Sequence, residues 1–261
     1  MGTPKPVVGI HTGDEFNARG VVLEFMPGGS LEARLKRGDD RRKTSLVDDG
    51  DLALADDVAN GMSHLHGLGL MHRDLKPANV LMDARGVAKV SDFGLACVSG
   101  TLDDSDGDLG LAPEASAARD GAPRARHEHT GVTGTLRWMA PEVLEDRPYS
   151  FAADVYSYGV LLWQLLAWHP APFEEFGTDV RGFASAVTRK GHRPSLEPCL
   201  DRAAPKALVD LIPRTWAADP ASRPSFTDVI AVISATRAPA PADTAPTPFW
   251  SPRARQYELG I

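Results

Sequence analysis

Two apolar segments near the start of the chain, PVVGIHT and GVVLEFM, are rich in valine and flank the polar stretch GDEFNARG. Short valine-rich runs with a polar connection that contains glycine are typical of a β-hairpin. The segment LEARLKRG follows a PGGS turn and has apolar residues at helical spacing. The chain is therefore predicted to begin with a hairpin, a turn and a short helix.

Helical periodicity dominates much of the chain after this short helix. Apolar residues recur every three or four positions over 51–70, until a GLG sequence ends the pattern. Residues 152–168 are apolar on nearly every side, which predicts a central buried helix, because a surface helix needs a polar face. Three further helical patterns are centred on 180–190, 205–217 and 226–237.

Between these helices, NVLM and VAKVSD flank the turn sequence DARG and predict a second small hairpin. Residues 98–129, which come after it, show no sustained apolar period, and we expect a long loop there. Residues 238–261 are rich in proline and alanine and are expected to be a disordered tail.

Composition narrows the function classes. The 261 residues are 43% hydrophobic and 24% charged, enough to bury a core in one large domain or two lobes. The net charge of −7 offers no basic surface for nucleic acid, which is therefore not an expected partner. With two cysteines, no signal sequence and no apolar run long enough for a membrane span, a cytoplasmic protein is expected.

The stretch LMHRDLKPANVLM places charged and amide side chains between residues that belong in a core. Burying such groups is costly, so their presence there indicates a functional site. Asn79 lies just before the second hairpin and Asp92 just after it, so the hairpin should bring their oxygen atoms together as magnesium ligands. Asp74 would then be left to accept a proton, and Lys76 to place a positive charge near a transferring phosphate.

HRDLKPAN, DFG and APE, in this order, resemble the catalytic loop, the metal-binding loop and the end of the activation segment of protein kinases. LKPAN resembles serine/threonine kinases, and GTLRWMAPEV and DVYSYGVLLWQLL resemble their tyrosine-kinase-like branch. The resemblance implies an α+β, protein-kinase-like fold with a complete, mainly helical C-lobe over 28–237, followed by the tail. Residues 1–27 would hold the last N-lobe strands and the hinge, and 92–142 the activation segment.

The resemblance also implies roles for individual residues. Asp74 would be the catalytic base, Lys76 the γ-phosphate contact, and Asn79 and Asp92 the Mg²⁺ ligands. Thr135 resembles the threonine that contacts the aspartate and lysine of the catalytic loop.

The segment VVLEFMPGGSL resembles the hinge that holds adenine. By this resemblance, Leu23 would control the back pocket and the backbone of Glu24 and Met26 would bind adenine. Ser30 would lie near the ribose, and Leu81 would form the floor of the pocket.

Further positions match supporting residues of the family. Asp154 would anchor the catalytic loop, and His72 and Phe93 would stack together. Glu142 would pair with Arg223. By contrast, His64 and His66, two apart on one helix, point to different faces, so structural roles are expected rather than metal binding.

The implied activity is transfer of the ATP γ-phosphate, with Mg²⁺, to serine or threonine hydroxyls of protein substrates. An upstream kinase could act on the activation segment, where Ser116, Thr130 and Thr133 are candidate sites and Arg73 could pair with the phosphate.

One part of the family pattern differs. The 22 residues before Leu23 contain no G-x-G-x-x-G, and Lys5 lies between two prolines. Half of the ATP clamp is thus expected to be absent, and Mg-ATP is expected to bind weakly or not at all. The alternatives to an active kinase are a catalytically impaired kinase-like binding module and a fragment of a longer kinase.

Overall fold

The computed structural model of the chain describes residues 9–12, 19–37, 46–98 and 135–237. Within these ranges the chain is mainly helical and carries three small antiparallel sheets. The expected loop at 99–129 and the tail at 238–261 lie outside the described residues. None of the described helices is long and apolar enough to cross a membrane.

The first predicted hairpin is confirmed. Strand β1, Gly9–Thr12, pairs antiparallel with β2, Arg19–Val22, and Gly9 faces Val22 across the ladder. The second strand ends at Val22, so the LEFM residues assigned to it leave the sheet as a connection.

A three-stranded sheet joins the hinge segment to the second predicted hairpin. Strand β3, Gly29–Ser30, pairs with β5, Val80–Met82, which in turn pairs with β6, Ala88–Val90. The turn before β3 lies so close to β5 that a Cβ at Gly28 would be 2.7 Å from the Met82 carbonyl oxygen. Glycine is therefore required there for steric reasons.

Two helices precede the catalytic stretch. Helix α1, Leu31–Lys36, is capped by the Ser30 hydroxyl, and α2 spans Asp49–Gly67. Helix α2 begins two residues before the prediction, because Asp48 and Asp51 form a reciprocal capping box at its first turn. The chain then enters β4, Leu70–Met71, which pairs with β7, Cys97–Val98.

The remaining helices agree with the predicted pattern and add two short ones. The described residues form α3, Pro141–Leu144; α4, Ala152–Ala167; α5, Val180–Arg189; α6, Glu197–Asp201; α7, Lys206–Thr215; and α8, Phe226–Thr236.

Helix α4 is the centre of the core, as its sequence predicts. Every residue from Ala153 to Ala167 is buried. The helix ends at Trp168, which adopts the left-handed conformation. A Cβ at Gly159 would lie 2.3 Å from the Thr215 hydroxyl oxygen, so the absence of a side chain lets α4 and α7 approach closely.

A buried ion pair ties α6 to the start of α2. Arg202 Nη2 lies 3.1 Å from the Asp51 carboxylate, and its Nη1 donates to the carbonyl oxygens of Leu165 and Leu166 near the end of α4. These contacts join three helices, and the buried charges of Arg202 and Asp51 neutralise each other.

Candidate active site

The catalytic stretch leaves β4 and is held in place by Asp154, which is buried in the first turn of α4. The backbone N–H groups of His72 and Arg73 donate to the two Asp154 carboxylate oxygens, each at 2.8 Å. Arg73 has a φ of 67°, which is unfavourable for a residue with a side chain and must be fixed by its surroundings. The predicted anchoring role of Asp154 is confirmed.

His66 adds a third contact to the same carboxylate. Its Nε2 lies 2.9 Å from Asp154 Oδ2, and its ring packs against Phe151 and Phe226. His64, two residues earlier on α2, is exposed. The two histidines do face different directions, and His66 has the expected structural role, although sequence reasoning did not identify Asp154 as its partner.

The Asp74 carboxylate is surrounded by two donors from its own loop. The Lys76 ammonium lies 3.0 Å from Oδ1 and 2.7 Å from Oδ2. The Asn79 amide donates to Asp74 Oδ2 at 2.9 Å and to the Asp74 carbonyl at 2.8 Å. Only 9% of the Asp74 side chain is exposed, so a positive charge and an amide fix the orientation of a nearly buried carboxylate.

The hairpin β5–β6 brings Asn79 and Asp92 to the same end of the sheet, as predicted. Asn79 closes a 3-10 turn before β5, and its carbonyl accepts from the Ser91 N–H at 2.8 Å and from the Ser91 hydroxyl at 3.0 Å. Asp92, which follows Ser91, is exposed, and its φ is 64°. Its Oδ1 accepts from the Gly94 N–H at 3.3 Å.

These two residues offer an amide oxygen and a carboxylate, the hard oxygen donors that Mg²⁺ prefers. The described residues contain no group of three or more His, Cys, Asp or Glu side chains able to hold a metal. The donor set therefore fits an ion that takes few protein ligands and fills its shell with phosphate oxygens and water.

The predicted contact between His72 and Phe93 is present. Their ring centroids are 5.5 Å apart and the planes are tilted by 59°. His72 Nε2 is 3.0 Å from the Ser91 carbonyl and Nδ1 is 3.2 Å from the Asp74 N–H. Since a carbonyl can only accept, Nε2 carries the proton, and His72 joins the HRDLKPAN loop to the DFG loop.

The predicted pair between Glu142 and Arg223 is also present, and it is fully buried. Arg223 Nη1 and Nη2 lie 2.6 and 2.8 Å from the two carboxylate oxygens of Glu142. Arg223 further donates to the carbonyls of Ala217 and Ala152. The end of the APE motif is thus fastened to α4 and to the loop before α8.

The hinge-like segment lies against the same sheet. Ser30 faces Leu81 across the β3–β5 ladder, and its hydroxyl accepts from the Ala33 N–H at 3.2 Å as the cap of α1. Leu23 is 64% exposed, and the Glu24 carboxylate lies 2.6 Å from Lys89 Nζ. The Met26 carbonyl accepts from the Gly29 N–H at 3.1 Å.

Within the described part of the chain, neither the Glu24 carbonyl nor the Met26 N–H forms a backbone hydrogen bond. They belong to the two residues whose backbone the resemblance assigns to adenine.

The segment before the APE motif opens with a 3-10 turn, Thr135–Trp138. The Thr135 side chain is outside the described residues, and its contact with the catalytic loop stays a prediction. Sequence reasoning missed how this segment is held. Ser157 donates its hydroxyl to the Trp138 carbonyl at 2.8 Å, and the Trp138 indole donates to Gln164 at 2.8 Å.

Arg137 fixes the other side of that turn. Its guanidinium donates to the carbonyls of Pro172, Phe173 and Gly177 in the connection between α4 and α5. The sequence signal for these contacts is weak, because arginine and tryptophan before a proline-containing motif do not reveal which distant loop they meet.

Arg73 is already engaged in the structure. Its Nη1 donates to the Tyr149 hydroxyl at 2.9 Å, and its Nε donates to the Leu95 carbonyl. Burial raises the pKa of Tyr149, and the nearby Arg73 charge partly opposes that shift. The candidate phosphorylation sites Ser116, Thr130 and Thr133 lie outside the described residues.

Comparison with known proteins identifies the family. Residues 8–232 match the family model described as protein kinase domain. The chain therefore belongs to the protein kinase family, and the expected α+β kinase fold with its helical C-lobe is confirmed. A protein kinase domain implies the use of ATP and, usually, of Mg²⁺.

Several curated proteins are similar to the chain. Serine/threonine-protein kinase STY46 of Arabidopsis thaliana is 39% identical over 210 residues, which cover 80% of this chain and 30% of that protein. Serine/threonine/tyrosine-protein kinase HT1 of the same plant is 33% identical over 213 residues, 82% of this chain and 46% of that protein. Ephrin type-A receptor 8 of Rattus norvegicus is 33% identical over 215 residues, 82% of this chain and 50% of that protein.

The serine/threonine kinase names agree with the expected branch of the family. The chain spans between about a third and a half of the length of these relatives.

Proposed function

We propose that the chain carries the catalytic machinery of a serine/threonine protein kinase, which transfers the γ-phosphate of ATP to hydroxyl groups of protein substrates. The observation that carries this proposal is the orientation of the Asp74 carboxylate by Lys76 and Asn79, within a loop that Asp154 holds from α4. The names of similar proteins that include serine/threonine kinase support the choice of acceptor.

Phosphoryl transfer needs positioning and charge neutralisation more than covalent chemistry from the protein. Asp74 is placed to orient a substrate hydroxyl and accept its proton. The Lys76 ammonium, 2.7 Å from Asp74, brings a positive charge to the place where charge builds up on the transferring phosphate.

Asn79 and Asp92 would hold Mg²⁺, which neutralises phosphate charge when bound. In this assignment the Asn79 amide has two tasks, since its nitrogen donates to Asp74 and its oxygen would be a ligand of Mg²⁺. Asp92 stands on the exposed side of the hairpin end, accessible to a nucleotide.

The nucleotide base would lie along the hinge-like segment. The carbonyl of Glu24 and the N–H of Met26 would bind adenine, with Leu23 at the back, Leu81 beneath and Ser30 near the ribose. The sheet pairing of Ser30 with Leu81 supports this placement, because it brings the end of the hinge next to the hairpin that carries Asn79.

The domain boundaries proposed from the sequence agree with the same scheme. Residues 1–27 would be the last N-lobe strands and hinge, 28–237 the C-lobe, and 92–142 the activation segment. An upstream kinase acting on that segment, with Arg73 as the phosphate partner, is part of the proposal, as is a cytoplasmic location.

A radiolabelled phosphate-transfer assay with phosphoamino-acid analysis tests this function. Because residues 1–22 carry no glycine-rich loop, the assay uses the chain alone and the chain extended by a kinase glycine-rich loop and lysine-bearing strand. Label is expected on serine or threonine with the extended form and is expected to be lost in Asp74→Asn. The exposed Asp201→Asn is the matched control and should keep full activity.

Label on tyrosine alone would contradict the assignment of the acceptor. Equal labelling by the extended form and its Asp74→Asn variant would contradict the role of the catalytic loop.

A further inference from the structure

A groove of about 390 Å³ lies at the carboxyl end of α4 and shares no lining residue with the catalytic loop. Its volume is within the range of roughly 300–1,000 Å³ that is usual for ligand sites. The side chains that decide its chemistry are Trp163, His169, Phe173, Glu174, Glu175 and His192.

Aromatic rings form the floor of the groove and hold its walls. The Trp163 ring is 5.6 Å from that of His169, and its indole N–H donates to the Ser195 carbonyl at 2.7 Å. The Phe173 ring is buried, and its centroid is 6.1 Å from that of His192. The groove therefore has an aromatic, largely apolar floor.

Two carboxylates stand at the mouth. The side chains of Glu174 and Glu175 are 68% and 50% exposed. Glu174 lies 3.5 Å from His169 Nε2 and Glu175 lies 2.6 Å from His192 Nε2. Both carboxylates keep oxygen atoms open to solvent, so a cation entering the groove would meet negative charge above an aromatic floor.

Arg193 also lines the groove, and its guanidinium contacts groups of the protein itself. The guanidinium donates to the carbonyls of Val187 and Trp216 and lies 5.0 Å from the centroid of the Tyr156 ring. The lining of the groove thus carries the acidic charge of these two glutamates and one positive charge from Arg193.

These histidines and glutamates do not converge on a metal site within the described part of the chain. The groove instead suits a ligand that combines an aromatic or apolar group with a guanidinium or ammonium group.

We propose that the groove binds the C-terminal segment 249–255, FWSPRAR, of the same chain. This segment combines two large aromatic residues with Arg253 and Arg255. The aromatic residues would occupy the floor, and the arginines would meet Glu174 and Glu175.

The length of the chain allows this contact. The described residues end at Arg237, and eleven residues, 238–248, separate Arg237 from Phe249, which makes twelve Cα–Cα steps. Extended chain spans about 3.3 Å per residue, so this linker can reach about 40 Å. A domain of about 200 residues has a radius of gyration of only about 17 Å, so a linker of this length covers a large part of its surface. A tether of this length also gives an effective concentration on the order of millimolar, enough for a modest contact to form.

The proposal does not rest on kinase activity, and photo-cross-linking of the full chain tests it. Phe249 is replaced by p-benzoylphenylalanine, the protein is irradiated, and the cross-linked peptides are identified by mass spectrometry. Cross-links within one chain, to the peptides that contain residues 163–175 and 192–198, are expected.

Charge reversal then tests the recognition. Glu174→Lys with Glu175→Lys should lower the cross-link yield about tenfold, since two attractive pairs become repulsive. Adding Arg253→Glu and Arg255→Glu to that variant should restore the yield, which a misfolded groove could not do. Reversal of two exposed acidic residues outside the groove, Glu145→Lys with Asp201→Lys, should leave the yield unchanged.

Three results would overturn the proposal. One is cross-links to other surfaces, and another is a yield that does not respond to charge reversal at the groove. The third is a product of twice the chain mass, which would place the segment of a second copy in the groove.

Discussion

Removing the charge of Glu142 should destabilise the protein strongly, because the pair it forms with Arg223 is fully buried. The side chains of Glu142 and Arg223 are 1% and 0% exposed, and two charge-assisted bonds of 2.6 and 2.8 Å join them. In Glu142→Gln the guanidinium keeps its bonds to the carbonyls of Ala217 and Ala152 but loses its counter-charge. A buried charge left without its partner typically costs about 3–5 kcal/mol of unfolding free energy.

The assay is urea denaturation followed by circular dichroism, with the free energy of unfolding extrapolated to water. The exposed pair between Lys206 and Asp210 provides the control, since its side chains are 84% and 59% exposed. Asp210→Asn should cost roughly 0.5 kcal/mol or less.

Arg223→Met combined with Glu142→Gln should recover part of the loss, because the double variant leaves no buried charge at this position. A loss below about 1 kcal/mol in Glu142→Gln would refute the reasoning.

Three further predictions concern pH, packing and metal. Burial raises the pKa of Asp57 from 3.8 to about 6, so the folded state binds the proton more tightly and stability should fall as the pH rises between these values. Asp57→Asn should flatten that part of a plot of unfolding free energy against pH, and an unchanged slope would contradict the assignment. Gly159→Ala should lower the unfolding free energy by about 1–3 kcal/mol, because the new methyl group collides with Thr215. Gly67→Ala, which meets nothing within 4 Å, is its control; equal effects of the two in thermal melts would be inconsistent with close approach of α4 and α7. Asn79→Ala should weaken phosphate transfer in a way that added Mg²⁺ partly restores; a loss insensitive to Mg²⁺ in the transfer assay would argue against the metal role.

Periodicity was sufficient for the larger elements and failed for the smallest. The apolar pattern predicts α4, which is buried from Ala153 to Ala167, and short apolar runs on either side of a turn sequence predict the two hairpins. The ribbon of Leu70–Met71 with Cys97–Val98 has strands of two residues, too short to show any period. The start of α2 was misplaced because its first turn is fixed by Asp48 and Asp51, which are polar.

Contacts in the site could be predicted from the sequence where a motif of the kinase family implies a particular long-range contact. Resemblance to kinases pointed to Asp154 and to the pair of Glu142 with Arg223, although 81 residues separate the two members of that pair. The contacts of His66 with Asp154 and of Arg202 with Asp51 depend on how helices pack, and nothing local in the sequence signals them.

The central claim is tested most directly by measuring turnover and nucleotide affinity separately in the Asp74→Asn variant. The protein used is the form extended by a glycine-rich loop and lysine. If Asp74 orients and deprotonates the substrate hydroxyl, kcat should fall by a factor of about 100 or more. The Kd for Mg-ATP from calorimetric titration should change little, because Asp74 is assigned to the hydroxyl and not to the nucleotide. An unchanged kcat, or a loss explained entirely by weaker binding of Mg-ATP, would contradict the account.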